Sequence, residues 1–204
     1  MASKDDWRAK RRSGMAAIAI SMVVSLALWV ALYRLLPPLT GMESLGARML
    51  VALKCAAVAT LFTLVAGVEA VAHERLQSDA FDPLAGHQTK RLAVNQRYLQ
   101  NTLEQIVIFT VGLIGLAAFL TGGEAMRIIP ATTAIWVLNR YAFWIGYHRS
   151  AAMRGLGAPS MAIGLVVLLY VVARIGGDLA GTAGAAVAVA LFLAVEAVLF
   201  LKTR

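Results

Sequence analysis

Charged residues are scarce in this chain. Asp, Glu, Lys and Arg make up only 15% of its 204 residues, whereas 60% of the residues are hydrophobic. Soluble domains usually contain about 25% charged residues. The scarcity excludes an ordinary soluble protein, and the mean hydropathy of +0.74 supports the same conclusion. We therefore predict an integral membrane protein.

Cysteine and clustered metal ligands are also rare. The single cysteine, Cys55, excludes an intramolecular disulfide. His73, His87 and His148 lack the spacing of a metal site, so we expect no bound metal. The sequence also has no Gly-rich phosphate loop, no Ser-His-Asp order and no Walker pattern, which excludes the common enzyme classes that carry them.

Long apolar runs are abundant instead. A helix of about 20 residues crosses the apolar core of a bilayer. We predict six membrane spans, with five as the alternative, at residues 14–36, 47–72, 99–120, 128–147, 161–173 and 181–201.

The first and the fifth run need separate interpretation. The first is too long for the core of a signal peptide and ends in Pro37 and Pro38, so we expect a retained helix. The fifth run is short. It either begins earlier, at Ala158, or continues through Gly176 and Gly177 into the sixth run as one bent helix.

The basic residues predict the orientation in the membrane. With the N-terminus inside, most Lys and Arg side chains fall on the cytoplasmic face, as the positive-inside rule requires. The net charge of +8 is then explained by topology and by attraction to anionic lipid. No basic globular domain supports nucleic-acid binding. We expect a bacterial inner-membrane protein with both chain ends inside. The cytoplasmic set is Lys4, Arg8, Lys10, Arg11, Arg12, Arg75, Lys90, Arg91, Arg149, Arg154, Lys202 and Arg204.

A polar stripe marks the start of the third apolar run, in the stretch QRYLQNTLEQIVIF at residues 96–109. Arg97, Asn101 and Glu104 are spaced at i, i+4 and i+7, which places them on one face of a helix, and Gln105 lies beside them. Polar residues inside a membrane span indicate a functional site by default.

The carboxylate of this stripe needs a partner. Glu104 would lie about 10 Å inside the membrane boundary, at about 1.5 Å per residue. An unpaired charge costs about 2.5–3.5 kcal/mol at mid-bilayer and less near the interface. Arg140 has a comparable depth in the next span, so we predict a buried ion pair between them. The pair alone is equally explained as a clamp between helices, whereas the full stripe indicates ligand binding.

A second polar cluster separates the fourth and fifth runs. The stretch GYHRSAAMRGLGAP at residues 146–159 resembles the G-Y-x-R-S-A-x-x-R segment of the MAPEG superfamily, the membrane-associated proteins of eicosanoid and glutathione metabolism. Arg97-x-x-x-Asn101-x-x-Glu104 is similar to that family's R-x-x-x-N-x-x-E segment. The resemblance covers residue 51 to the C-terminus and leaves out the first span.

The resemblance implies a fold, an assembly and a site. The fold class is an all-α integral membrane protein with a MAPEG-like four-helix bundle and an additional N-terminal transmembrane helix. Residues 1–46 would form a basic cytoplasmic tail and that helix, and residues 47–204 the MAPEG-like domain. The implied assembly is a homotrimer that binds glutathione, as co-substrate, between neighbouring subunits near the cytoplasmic boundary. The implied glutathione-binding residues are Arg97, Asn101, Glu104, Gln105, Arg140 and Tyr147, and the implied catalytic residue is Arg154.

Arg154 carries the chemical part of this expectation. A cation beside a thiol of pKa about 8.5 favours the thiolate, which is the nucleophile. Attack on a lipophilic acceptor arriving from the bilayer would form a thioether or reduce a hydroperoxide. The alternative for Arg149 and Arg154 is a loop that follows the positive-inside rule. We prefer that alternative for Arg149 and the catalytic role for Arg154.

Three positions depart from the family pattern. Leu99 stands where members usually have His or Gln, Thr102 where they have Asp or Cys, and Phe143 where leukotriene-forming members have a tyrosine. Three functions therefore stay open: a glutathione-dependent transferase or peroxidase, a non-catalytic member that binds lipid or a partner protein, and an unrelated assembly or transport protein.

Overall fold

The computed structural model describes residues 4–203, and the side chains from Trp7 onward. Arg204, which we placed on the cytoplasmic face, lies outside this range. Every regular element in residues 4–203 is a helix. In chain order these are α1 (Lys4–Leu35), α2 (Leu45–Leu76), α3 (Lys90–Phe119), α4 (Gly122–Met126), α5 (Ile128–Arg149), a 3₁₀ turn (Met153–Gly157) and α6 (Ala158–Lys202).

Four of these helices have the length and composition needed to cross a membrane, namely Trp7–Leu35, Leu45–Leu76, Lys90–Phe119 and the stretch Met153–Lys202. Helix α5 is also 22 residues long, but it has Asn139 and Arg140 in its second half. The expected all-helical membrane fold is therefore confirmed, and the number of spans stays a prediction.

Helix α6 contains the fifth and sixth apolar runs. It begins at Ala158, which was one of our two interpretations, with Pro159 in its first turn. The helix is broken at Ala180 and Gly181, where Gly181 has a φ of 62°, a conformation that glycine adopts without steric cost. A Cβ at Gly184 would lie 2.1 Å from the oxygen of Gly176. These residues would be about 12 Å apart along a straight helix, so the chain folds back at the break.

Helix α3 forms the centre of the bundle and packs against α2, α5 and α6. In the core, Phe109 of α3 stacks on Trp136 of α5, with ring centroids 4.5 Å apart and both side chains fully buried. Gly115 lets α6 approach closely, because a Cβ there would lie 2.6 Å from Val171 Cγ1. The core thus fixes the C-terminal half of α3, and the polar stripe lies on its N-terminal half.

A π-helical turn at Thr60–Val65 interrupts α2. The irregular turn leaves backbone carbonyls available to other helices, and two tyrosines use them. The Tyr98 hydroxyl donates to Thr63 O at 3.2 Å, and the Tyr141 hydroxyl donates to Phe62 O at 2.7 Å. Such turns are frequent at functional sites. Here the turn anchors α3 and α5 to α2 beside the polar stripe.

Helix α1, which the resemblance did not cover, packs along α5 and the 3₁₀ turn. Ser25 Oγ donates to Asn139 Oδ1 at 2.9 Å, and Ser21 Oγ lies 3.4 Å from the carbonyl oxygen of Gly155. Ser21 and Ser25 are one turn apart, so the same face of α1 makes both contacts. This helix is therefore part of the bundle beside the second polar cluster.

Candidate functional site

A cavity of about 410 Å³ lies between α1, α3, α5 and the 3₁₀ turn, at the end of the bundle where the polar stripe begins. We call it the polar cavity. Its volume is within the range of about 300–1,000 Å³ that small-molecule sites occupy. The lining residues are Ile18, Arg97, Gln100, Asn101, Glu104, Gln105, Phe143, Tyr147, Arg154, Gly155, Gly157 and Ala158.

Helix α3 supplies one wall of the polar cavity, and amide side chains order it. Gln100 Nε2 donates to Glu104 Oε1 at 3.4 Å. Gln105 Nε2 donates to Asn101 Oδ1 at 3.1 Å. Arg97 lies at the outer end of the same wall and is exposed. The helical spacing therefore places the predicted stripe on one surface, as the sequence indicated.

The opposite wall comes from α5 and the turn that follows it. Ser150 ends α5, and its Oγ accepts from Met153 N at 3.2 Å, which starts the 3₁₀ turn. The turn is tight because Gly146 touches it, since a Cβ at Gly146 would lie 2.2 Å from Met153 O. The Gly and Ser of the G-Y-x-R-S segment therefore have structural roles, and they place Arg154 in the cavity wall.

Gly157 is the second glycine that this wall requires. A Cβ added there would lie 2.1 Å from Phe143 Cβ and 2.8 Å from the oxygen of Asn139. The chain can therefore run from the 3₁₀ turn into α6 only by passing directly against α5. This close approach brings Arg154 to within 6.0 Å of the centre of the Tyr147 ring.

The charged groups of the polar cavity are not paired with each other. In residues 7–203, Arg97, Glu104 and Arg154 take part in no ion pair. The cavity thus presents two guanidinium groups and one carboxylate to whatever occupies it. A zwitterionic anion fits this set better than a neutral molecule does.

Arg140 lies behind the α3 wall and is completely buried. Its Nη1 donates to Asn101 Oδ1 at 2.9 Å, and its Nη2 donates to Thr102 Oγ1 at 2.8 Å. The guanidinium carbon also lies 5.3 Å from the ring centroid of Tyr98 and 4.7 Å from that of Phe143. Arg140 therefore holds Asn101 in place and does not itself line the cavity.

The predicted ion pair between Glu104 and Arg140 is wrong. Glu104 is exposed on the cavity side of α3 and contacts Gln100, whereas Arg140 binds on the side of Thr102. Residues 102 and 104 are about 200° apart around the helix axis. The prediction rested only on the similar depth of the two residues in the membrane. The orientation of α3 about its axis places the Glu104 carboxylate away from Arg140.

The structure brings six of the seven predicted site residues into the lining of one cavity, with Arg140 as the exception. Sequence reasoning missed three contributors. Gln100 follows Arg97 by one turn and could have been found from helical spacing. Ser160, which donates to Gln105 Oε1 at 2.9 Å, and Ile18 of α1 had no signal of their own, because both depend on how helices pack.

Residues 50–177 match the model of the MAPEG family, which is more than half of the chain. The chain belongs to the MAPEG family. Both polar segments of this MAPEG protein lie inside the matched range, and α1 lies outside it. No curated protein and no solved structure gives a significant match.

Membership identifies an integral membrane protein from a family with transferase-type functions linked to glutathione or eicosanoids. It also removes the third hypothesis, an unrelated assembly or transport protein. The departures from the MAPEG pattern have structural explanations. Thr102 accepts a hydrogen bond from Arg140, Phe143 places its ring against the same guanidinium, and Leu99 packs beside Gly67.

Proposed function

We propose that this MAPEG protein is a glutathione-dependent transferase or peroxidase that acts on lipophilic electrophiles. The observation that carries the proposal is the polar cavity, where Arg97, Glu104 and Arg154 lie together without ion-pair partners at one end of the apolar helices. Glutathione has two carboxylates, one ammonium group and one thiol. It therefore needs both cations and an anion in its site.

Each cavity group has a distinct part in the proposal. Arg97 binds a carboxylate of the tripeptide, and Glu104 binds the ammonium group. Asn101 Oδ1 already accepts from Arg140 and Gln105, so its amide nitrogen is the group left to donate to the ligand. Tyr147 donates its hydroxyl. These contacts orient the tripeptide with its thiol toward Arg154.

Arg154 stabilises the thiolate. In conjugation, the thiol proton goes to water, the sulfur forms a bond to an electrophilic carbon, and the leaving group departs with its electron pair. In peroxide reduction, the sulfur takes the terminal oxygen, so the sulfur is oxidised to a sulfenic acid and the alkoxide takes a proton. A second glutathione then gives the disulfide and water.

The same proposal includes the assembly and the location of the site. We propose a homotrimer in a bacterial inner membrane, with the polar cavity at the cytoplasmic boundary between neighbouring subunits. The family resemblance supports the trimer, and the basic residues around the 3₁₀ turn support the orientation. The lipophilic substrate then enters from the bilayer while glutathione enters from water.

One observation favours a second candidate, a non-catalytic member that binds lipid. Phe143 has no hydroxyl to offer a thiol, and it faces the polar cavity beside Tyr147. Arg154 separates the two candidates, because only the catalytic candidate needs a cation beside the sulfur of glutathione.

The experiment that tests the proposal is thermal unfolding of the detergent-purified protein with glutathione and with its S-alkylated form. A ligand at 100 times its dissociation constant adds about 2.7 kcal/mol to the free energy of unfolding. We expect the shift in wild type and its loss in Arg97→Ala. Arg149→Ala is the matched control, because Arg149 is exposed and does not line the cavity. Absence of any shift in wild type would refute glutathione binding.

A further inference from the structure

Helix α6 ends in a long apolar segment, residues 182–202, which follows the break at Gly181. We call it the C-terminal arm. Seven large apolar side chains between Leu191 and Leu201 are more than half exposed. Lipid tails can cover such side chains, because they are equally apolar. The arm also carries an exposed carboxylate, Glu196, and lipid does not explain it, since a charge inside a membrane is costly and usually has a protein partner.

A lysine on α2 is the matching anomaly. Lys54 lies between Ala52 and Ala56, which are buried, and its own side chain is exposed. It is about 200° around the helix axis from Ala52, so its side chain leaves α2 on the side away from the core. In residues 7–203, neither Lys54 nor Glu196 takes part in an ion pair. The surface of the bundle therefore carries two unpaired charges of opposite sign within apolar helices.

Contacts between α2 and α3 give the depth of Lys54. The two helices are antiparallel, and Arg48 Nε donates to Ala117 O at 3.3 Å. Lys54 follows Arg48 by six residues, so it lies level with Val111, the residue six positions before Ala117. Val111 is eight residues from the end of α3, which is about 12 Å. Lys54 is therefore well inside the apolar core, which is about 30 Å thick.

The fold of the chain at the break gives the depth of Glu196 along α6. A Cβ at Gly177 would lie 3.9 Å from Ala185 Cβ, so these two residues are level on the two sides of the break. Glu196 follows Ala185 by eleven residues. Because the arm runs back along α6, Glu196 lies about level with Val166, eleven residues before Gly177.

The packing of α6 on α3 relates this depth to that of the lysine. A Cβ at Gly112 would lie 3.2 Å from Val167 Cγ1, and the two helices are parallel. Val166 is therefore level with Val111, the residue that also marks the depth of Lys54. The ammonium group and the carboxylate thus belong to helices that carry them at about the same depth in the membrane.

The two charges do not meet within one chain. Helix α2 packs on α3 at Ala117, whereas α6 packs on α3 at Gly112. These two positions are about 140° apart around the axis of α3, so α2 and α6 lie on different sides of it. Lys54 also points away from α3. Each charge therefore needs a partner from another molecule, and a second copy of the chain supplies the opposite charge at the required depth.

We propose that the C-terminal arm of one copy packs against α2 of a neighbouring copy, where Glu196 and Lys54 form an ion pair inside the membrane. Pairing offsets the desolvation of both charges. The two copies use different surfaces, and such heterologous contacts close into rings, which is compatible with the proposed trimer. The arm lies outside the family match, so this contact is a feature of this chain. The inference does not depend on glutathione binding.

The first experiment uses the wild-type sequence in mild detergent with a membrane-permeant carbodiimide. This reagent joins a carboxylate and an amine that are in contact through an amide bond, and it takes up the released water as a urea. We expect covalent species of two and three chains on a denaturing gel, and a peptide that links Lys54 to Glu196. Mixing isotope-labelled and unlabelled chains shows whether the link joins different copies. Glu196→Gln should abolish the link. Asp178→Asn is the matched control, because Asp178 is an exposed carboxylate beside the break.

The second experiment exchanges the charges and measures assembly by native mass in mild detergent. Lys54→Glu and Glu196→Lys should each lower the association constant at least about tenfold, because each variant places two like charges together inside the membrane. The double variant should restore assembly, since it recreates the pair in reverse. Asp178→Lys should assemble as wild type does, and it should not rescue Lys54→Glu.

Several outcomes would overturn this inference. A link between Lys54 and Glu196 within single chains, or no link between them, would exclude the contact between copies, and this result needs no variant that folds. Normal assembly of both single variants would mean that the charges face lipid or water. A double variant that stays dissociated would mean that each charge has its own partner. The thermal shift with glutathione is scored separately, so its absence would refute the proposed function while an intermolecular link would still support the ion pair.

Discussion

Replacing Arg154 by alanine removes the cation that we assign to the thiolate. The guanidinium lies in the wall of the polar cavity, 6.0 Å from the centre of the Tyr147 ring. A thiolate held about 6 Å from this guanidinium would interact with it by about 3 kcal/mol at an effective dielectric constant of about 20. Arg154 is exposed, so solvent reduces this value. One unit in the pKa of the bound thiol corresponds to about 1.4 kcal/mol, which is about half of the unscreened interaction energy.

The variant should therefore bind glutathione almost as well as wild type, because Arg97 and Glu104 hold the ends of the tripeptide. Turnover at neutral pH should fall about ten- to hundredfold, because the thiolate fraction falls about tenfold for each unit by which the thiol pKa rises. The thiol pKa is raised in the variant, so the thiolate fraction is lower below that pKa and returns as the pH rises through it. Part of the rate should return at high pH for this reason.

The measurement is the near-ultraviolet thiolate absorbance of bound glutathione as a function of pH. We expect the midpoint to move to higher pH in Arg154→Ala and to stay in place in Arg149→Ala. Equal thiolate fractions in wild type and Arg154→Ala would refute the catalytic assignment. Arg154 would then be an ordinary cytoplasmic arginine of the positive-inside pattern.

Three further predictions concern stability and assembly. Gly157→Ala places a Cβ against Phe143, so both the melting temperature and the thermal shift with glutathione should fall; wild-type values would contradict the close approach. In a double-mutant cycle by chemical unfolding, Glu104→Gln and Arg140→Gln should be additive within about 0.5 kcal/mol, because the two charges are not in contact. A larger coupling energy would mean that Glu104 and Arg140 are in contact after all. Native mass measurement in mild detergent should report a trimer, and a monomer that binds glutathione fully would exclude an intersubunit site.

The sequence predicted which residues share a wall of the site where those residues lie on one helix. Arg97, Asn101 and Glu104 share a wall because positions i, i+4 and i+7 lie on one face of any α-helix. The 3₁₀ turn was not predicted, although Gly146 and Ser150, which shape its start, act within a few residues of the chain. Gly157 instead depends on the approach of α5.

The rotation of α3 was not predictable from the same data. Helical rise predicts how far along a helix a residue lies, and Glu104 and Arg140 do lie on two helices that pack together, α3 and α5. The angle around the axis depends instead on packing between helices, here on Tyr98, whose ring stacks on Trp144 at 4.4 Å. That contact turns the Thr102 face of α3 toward α5, and the carboxylate turns away.

The packing of α1 against the bundle has a sequence signal that mean hydropathy does not show. Ser21, Ser25 and Trp29 follow one another at intervals of four residues, which aligns three hydrogen-bonding groups on one face of an otherwise apolar helix. The structure uses all three in contacts with the 3₁₀ turn or α5. A helix that faced only lipid would have no use for such a row.

The charges around the polar cavity match one form of glutathione in particular. Arg97, Arg154 and the buried Arg140 contribute three positive charges, and Glu104 contributes one negative charge, which leaves two positive charges. The hydrogen bonds and aromatic rings around Arg140 stabilise its charge without cancelling it. Glutathione with a thiol carries one net negative charge, and with a thiolate it carries two. We therefore propose that the site as a whole favours the ionised nucleophile, with solvent screening the exposed Arg97, Glu104 and Arg154 and burial strengthening the contribution of Arg140 from behind the wall.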